Sequence, residues 1–270
     1  MTSNRDPAVK KCKVTHAEET LNIQEMPGVT SSFVVQRVSD YEEHAASTAI
    51  YYNMSIPRNL SYLYCGVVEE FCEFKAVIEE LDGEFSSTSR VNGQWVVPGK
   101  TNISNGHDTD KSLVVSGCLE WRLKSLKELG DVVWYLTAMC KELDMKLESV
   151  VEIENDLKIR NPSRSHVKEM HPNNLNADAE ILISKSLSDM LDNIGTIGGK
   201  IKKSIRDDNE TVNEEKRCII LEKIRGIFSI ISNQVCPWLG SSLLYVMQLN
   251  ISKIKSRFER GVIKGDGDDR

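Results

Sequence analysis

Apolar residues recur at three- and four-residue spacing along most of this chain, which is the pattern of amphipathic helices. The pattern predicts a short helix from Ser39, with Tyr41, Ala45 and Ala49 on one face. Pro57 is expected to delay the start of the next helix, because proline disrupts a helix interior. Since QWVVPG is the one short stretch that suggests a strand, the sequence predicts an all-α fold. Longer helices are predicted over about residues 59–83, 119–143, 147–159, 179–203, 213–233 and 240–260.

Three polar stretches interrupt the helical pattern, and one of them separates two helical modules. Residues 1–30 are polar and aperiodic, and they are predicted to form a mobile arm. Residues 84–116 are rich in Ser, Gly, Asn and Thr, and a stretch of this length is either a functional flap or an insertion. Residues 160–176 form a polar linker, which is the best candidate for a domain boundary. The predicted modules therefore cover residues 31–163 and 177–270.

Acidic residues lie at helical spacing within two of the predicted helices. The stretch YLYCGVVEEFCEF carries Glu69, Glu70 and Glu73, and the stretch LKELGDVVWYL carries Glu128 and Asp131. Residues three apart share one helical face, so two such helices packed side by side would place four carboxylates around one point. These carboxylates repel one another unless cations neutralise them, and Mg²⁺ prefers hard oxygen ligands. The pattern therefore predicts a Mg²⁺ site.

An acidic helix face is more often simply solvated, and EExxE alone would be weak support for a functional site. The residues around both acidic motifs are markedly apolar, as in VVEEF and LGDVVWYL. Acids with apolar neighbours are expected to face an interior, which favours the metal site over the solvated face.

Composition and charge narrow the function further. The net charge of -6 argues against a broad basic surface for nucleic acid, so an anionic small molecule would be held by local cations. The seven cysteines are scattered without CxxC spacing, which favours a reducing compartment. The first residues lack an apolar signal segment, and no stretch reaches the length of a membrane span. We expect a cytoplasmic protein that binds neither nucleic acid nor membrane.

The acidic stretches resemble the motifs of one enzyme family. ELGDVVWYL resembles the second motif of the MazG-like all-α nucleoside triphosphate pyrophosphohydrolases, and TAIYYN and the tail RGVIKGDGDDR are similar to the entry and ending of one branch. The resemblance spans about residues 40–270. One departure is the pair FC, which replaces the small Ala-Gly usual within the first motif. That first motif is matched by Tyr62, Gly66, Glu70 and Glu73, and the NxxK that follows the second by Asn155 and Lys158.

This resemblance implies hydrolysis of a nucleoside triphosphate between its α- and β-phosphates, giving a nucleoside monophosphate and pyrophosphate. Glu70, with Glu69 in second place, would orient the attacking water. The implied cofactor is Mg²⁺, held by four acids: Glu70, Glu73, Glu128 and Asp131.

The resemblance also implies how the substrate is held. Asn155 and Lys158 would bind the phosphates, since asparagine offers a directional donor and lysine a point charge. Tyr135 lies one turn beyond Asp131 on the same side, and it would either donate to a phosphate or pack in the core.

The second half repeats one of these motifs without the acids. Asn250 and Lys253 in NISKIKSR repeat the NxxK element. The second module is therefore predicted to be a degenerate copy that cannot hold Mg²⁺ in the same way, packed on the first as an intramolecular pseudo-dimer. Pairing of two chains into a homodimer is compatible with this arrangement. The stretch DNIGTIGGK puts Asn193 and Thr196 where Glu70 and Glu73 stand in the first half. Aligning the halves on the spacing to NxxK matches Glu128 with Lys223 and Asp131 with Gly226.

Two alternative functions stay open. The chain could be a non-catalytic nucleotide-binding or scaffolding protein, although the intact acids of the first half argue against this. It could also be a related all-α dUTPase or dCTPase with narrow base choice. The base pocket would be lined by several helices, so its specificity depends on the packing of the whole bundle.

Overall fold

The computed structural model describes residues 35–49, 54–86, 89–91, 94–96, 110–151 and 177–260. The protein is all-helical in these ranges apart from one antiparallel ribbon, in which β1 (Ser89–Val91) pairs with β2 (Gln94–Val96). A π-helical turn, Ile231–Val235, joins the sixth helix to the seventh. The helices are α1 (Val38–Thr48), α2 (Ile56–Ser86), α3 (Asp110–Glu142), α4 (Leu147–Val150), α5 (Ala177–Asp207), α6 (Glu214–Ile230), α7 (Cys236–Trp238) and α8 (Leu243–Glu259).

Three of the predicted helix boundaries are wrong. Helix α4 ends at Val150 instead of about residue 159, because the backbone becomes extended at Val151. Helix α2 begins at Ile56, so Pro57 lies in its first turn, where the missing N–H has no helical partner to lose. Helix α3 begins at Asp110, so the polar stretch predicted over 84–116 includes the end of α2, the ribbon and the start of α3. The strand suggested by QWVVPG is confirmed at Gln94–Val96.

The other helices agree more closely with the sequence pattern. Helix α1 buries Tyr41 and Ala45, as the four-residue spacing predicts, and Ala49, which follows the last residue of the helix, is also buried. At the start of α6 the Asn213 side chain accepts a hydrogen bond from the Lys216 N–H at 2.9 Å, which caps the helix. The predicted arm, the linker and the region from 152 to 176 lie outside the described residues.

Helices α2 and α3 form an antiparallel pair whose inner face is apolar. Phe71, Phe74, Leu129 and Val132 are all buried there. The ring of Tyr135 on α3 packs directly on Gly66 of α2, where a Cβ atom would clash with it. This close pairing sets the register that brings the acidic motifs of the two helices together.

The second half of the chain builds a similar pair and closes the bundle. Helix α5 packs on α6, with Asn193 against Gly226, and α5 also packs on α2, where Tyr64 covers Gly198. Helix α8 packs on α3. One continuous core therefore contains residues from both halves. Among the described helices, none combines the length and apolarity needed to cross a membrane.

The halves also exchange their peripheral segments. In the first half, the backbone near α4 accepts hydrogen bonds from α6: Arg225 donates to the Ser149 carbonyl at 3.2 Å, and Arg217 to the Leu143 carbonyl at 2.9 Å. In the second half, α8 crosses to α3 and α1 of the first. As a result, the surroundings of the acidic motifs are built by both halves.

Candidate metal centre

Three carboxylates meet where α2 and α3 are in contact. Glu70 from α2, and Glu128 and Asp131 from α3, each offer one oxygen, and these oxygens all lie within 4.8 Å of one another. Glu128 is only 3% exposed and Asp131 9%. The apolar residues that hold the helices together flank these acids in sequence, so packing of the core carries the carboxylates inward. An acidic group of this kind can hold a divalent cation.

The charge state of Glu70 reflects this crowding. Burial, followed by the negative charges of Asp131 and Glu73, raises the pKa of Glu70 to about 8, and the positive charge of Lys253 opposes the increase. At neutral pH and without a cation, the Glu70 carboxyl is therefore mostly protonated. Binding of a divalent cation would have to release that proton.

Helix α8 supplies two donors to the same cluster, both to Asp131. The Asn250 Nδ2 donates to Asp131 Oδ1 at 2.7 Å, and the Lys253 Nζ lies 2.6 Å from Asp131 Oδ2. The side chains of Lys253 and Asp131 are 10% and 12% exposed, so this ion pair is well shielded from water. The site is therefore formed by three helices, α2, α3 and α8.

Asn250 is fixed in one orientation. Its Oδ1 accepts a hydrogen bond from the Tyr41 hydroxyl at 2.9 Å, so its amide nitrogen points to Asp131. Asn250 is fully buried, and Gly130 makes room for it, because a Cβ at that position would lie 2.9 Å from the Asn250 Cβ. Burial, and then the charge of Asp131, raises the pKa of Tyr41, which keeps its hydroxyl protonated as a donor.

Tyr135 lies beside the acids, packed over Gly66 and in edge-to-face contact with Trp134 at 4.9 Å between ring centres. Burial, followed by the nearby Tyr62 and Glu70, raises the pKa of Tyr135, so its hydroxyl stays protonated. Its ring takes part in the packing of α2 on α3. The role as a phosphate donor, which the family resemblance implies, stays a prediction.

Of the five predicted acids, three come together and two are exposed. Glu70, Glu128 and Asp131 come together, as the spacing predicts. Within the described residues, Glu73 does not join their group; its side chain is exposed, although its charge contributes to the raised pKa of Glu70. Glu69 is also exposed.

The predicted phosphate-binding pair, Asn155 and Lys158, lies outside the described residues. Asn250 and Lys253 reach the acids of the first half, which was not predicted from the sequence. The repeated NxxK was the signal that could have indicated it. The packing of α8 on α3 is what brings this second NxxK to the acids of the first half.

Comparisons with known proteins place this chain near one phage protein. A protein of Mycobacterium phage L5 named Gene 37 protein is 34% identical to it over 79 residues. That alignment covers 28% of this chain and 66% of the phage protein, slightly less than two thirds, and the name states no activity. No family model and no solved structure matches the chain.

Proposed function

We propose that this protein is a Mg²⁺-dependent nucleoside triphosphate pyrophosphohydrolase with a role in controlling or cleansing the nucleotide pool. The observation that supports this most directly is the meeting of Glu70, Glu128 and Asp131, whose oxygens lie within 4.8 Å of one another. The resemblance of their two sequence motifs to the MazG-like enzymes adds the reaction type, cleavage between the α- and β-phosphates.

The acids fit the proposed ion by chemistry and by size. Mg²⁺ takes oxygen ligands at about 2.1 Å, so two opposite ligands of one ion stand about 4.2 Å apart. Oxygens within 4.8 Å of one another need only small side-chain movements to reach that geometry. When bound, the ion would neutralise phosphate charge and make a nearby water more acidic. Glu70, Glu128 and Asp131 would hold it, with Glu73 able to join from the exposed edge of α2.

The remaining roles belong to residues of the chain. Glu70 is the best candidate to orient a water and accept its proton, because it lies beside Glu128 and Asp131 and matches the motif that the family resemblance implies. Glu69, exposed on the same helix, is second to it. Asn155 and Lys158 keep the phosphate-binding role that the family resemblance implies. The charge of the triphosphate requires such local cations, since the chain as a whole is acidic.

We also propose that the chain is a tandem pseudo-dimer of two MazG-like modules, the second without metal ligands. Aligning the halves on NxxK matches Asp131 with Gly226, and the stretch DNIGTIGGK puts Asn193 where Glu70 stands in the first half. Within each half, the two residues face one another across a helix pair. Glu70 on α2 lies near Asp131 on α3, and Asn193 on α5 lies against Gly226 on α6. The exchange of α4 and α8 between the halves adds further support.

The decisive experiment is a screen for pyrophosphate release over the common and modified nucleoside triphosphates, with the nucleoside product identified by mass. Asp131→Asn and Glu128→Gln should each reduce turnover by about 100-fold or more, because a catalytic metal contributes several kcal/mol. Glu79→Gln is the matched control: Glu79 is an exposed acid on α2 that pairs with Lys75. Nucleotide binding without turnover would favour a binding or scaffolding protein, and turnover of a single pyrimidine nucleotide would favour a base-specific enzyme.

A further inference from the structure

We propose that Lys253 is an internal counter-ion of the acid cluster, and that a divalent cation must displace it from Asp131. The second half of the chain would thus set the cation affinity of the first. This inference rests on the metal site of the proposed function and assigns a regulating residue to it.

The ammonium group of Lys253 lies within the acid cluster, in contact with Asp131. Lys253 Nζ lies 2.6 Å from Asp131 Oδ2, and both side chains are nearly buried. Its charge also acts on Glu70, since it opposes the rise of that residue's pKa. The positive charge of Lys253 therefore stabilises a cluster of acids that repel one another. This is the task that the divalent cation would perform when it binds.

The two donors on α8, Asn250 and Lys253, differ in charge and in how firmly they are held. Asn250 is neutral, fully buried and held by Tyr41, so it can remain on Asp131 when a cation arrives. Lys253 is charged and has a long, flexible side chain that keeps 10% of its surface exposed, whereas Asn250 has none exposed. An ammonium group and a divalent cation that share one carboxylate repel each other strongly at a few ångströms. Lys253 is therefore the group that has to move.

The counter-ion and the acids come from different halves of the chain. Lys253 belongs to α8, which follows the linker and the α5–α6 pair, whereas the acids belong to α2 and α3. A change that shifts α8 along α3 would strengthen or weaken the hold of Lys253 on Asp131. The second module would thus control the occupancy of the metal site without contributing an acid of its own.

The test is a calorimetric titration of the full-length protein with MnCl₂, comparing the wild type with Lys253→Met and Lys253→Arg. Lys253→Met should bind Mn²⁺ about tenfold or more tightly, because it removes a unit charge close to the ion. Lys253→Arg keeps the charge and should stay near the wild-type affinity. Lys255→Met is the matched control on the same helix, since Lys255 is exposed and pairs with Glu259.

A second measurement needs no metal. In EDTA, Lys253→Met should lower the melting temperature, because it leaves a buried carboxylate without its counter-ion. The loss should be much smaller in an Asp131→Asn background, where the charge that Lys253 balances is gone. Equal losses in both backgrounds would mean that Lys253 only fills space, and the inference would be overturned.

The outcomes separate this inference from the proposed function. Tighter Mn²⁺ binding by Lys253→Met, with no triphosphate hydrolysis by the wild type, would support the counter-ion role of Lys253 and contradict the proposed enzyme activity. Hydrolysis by the wild type, with unchanged or weaker Mn²⁺ binding by a folded Lys253→Met protein, would support the enzyme and overturn the counter-ion. Absence of Mn²⁺ binding in Lys253→Met overturns the counter-ion whatever the activity.

Discussion

The ring of Tyr135 lies directly on the backbone of Gly66, and this contact sets the distance between α2 and α3. A Cβ atom at position 66 would overlap the ring, so the helices could not keep their spacing with any larger residue there. Glu70 is one turn further along α2, and Asp131 one turn back along α3. The same contact thus positions the carboxylates as well as the core.

Gly66→Ala is therefore expected to destabilise the protein by about 1–3 kcal/mol, the usual cost of forcing an extra methyl into a packed contact. The measurement is urea unfolding followed by circular dichroism. Gly195→Ala is the matched control, because Gly195 is also within a helix but has no atom within 4 Å of its would-be Cβ. That variant should gain roughly 0.5–1 kcal/mol, since alanine is the better helix former. A loss of stability in the control, or a gain in Gly66→Ala, would contradict this account.

The hydrogen bond from Tyr41 to Asn250 should be measurable by removing one atom. Tyr41→Phe keeps the buried ring but leaves the Asn250 carbonyl oxygen without its donor. We expect a loss of about 1–3 kcal/mol, the cost of an unsatisfied buried acceptor. Asn250 would then lose the contact that fixes its amide, so Asp131 should also become less well placed for a cation. An unchanged unfolding free energy would show that water or another donor replaces the hydroxyl.

The raised pKa of Glu70 predicts how the metal-free protein responds to pH. Glu70 has a pKa of about 8 in the folded chain and 4.5 as a free side chain. Between these values the folded state holds a proton that the unfolded state has lost, so stability should fall as the pH rises from about 4.5 to about 8. Unfolding titrations in EDTA would measure this slope.

Glu70→Gln should flatten that slope, because glutamine has no proton to lose, and Glu79→Gln should leave it unchanged. Saturating Mg²⁺ should reverse the trend in the wild type, since the ionised carboxylate is the form that binds the cation. A slope that persists in Glu70→Gln would assign the titration to another group.

Much of the fold could be predicted from the sequence, because helices follow from local periodicity. The boundaries were less certain where local signals conflict. Pro57 suggested a break, yet proline fits the first turn of α2. The start of α3 lies in a Ser- and Gly-containing stretch whose composition is typical of a loop, and the tertiary context of a helix routinely overrides such a local preference.

The site shows the same division between local and tertiary information. The spacing of Glu70, Glu128 and Asp131 within their helices was sufficient to predict that they meet. Glu73 shares the three-residue spacing but is turned about 60° from Glu70 around the helix, which leaves it at the exposed edge. Lys253 could not be assigned from spacing, since it is 122 residues from Asp131 and only the packing of α8 on α3 brings it there.

The second module is expected to be required for folding of the first. Tyr64 on α2 covers Gly198 of α5, and Gly130 on α3 contacts Asn250 of α8, so each helix of the α2–α3 pair is partly covered by the second half. A chain that ends after residue 174 would expose these apolar faces, and at roughly 25 cal/mol per Å² their burial is a large part of the stability. The fragment should aggregate or pair with itself. Light scattering after gel filtration would measure this.

Lys223→Ala in the full chain is the control for that truncation, because Lys223 lies in the second module, is partly exposed and pairs with its neighbour Glu222. It should leave both the oligomeric state and cation binding unchanged. The fragment should also lose cation-dependent stabilisation, because Asn250 no longer holds Asp131 in place. A monomeric fragment of residues 1–174 that binds Mg²⁺ and retains full activity would show that the halves are independent domains. In that case the pseudo-dimer would have to be abandoned, and the contact of Lys253 with Asp131 would be dispensable for the site.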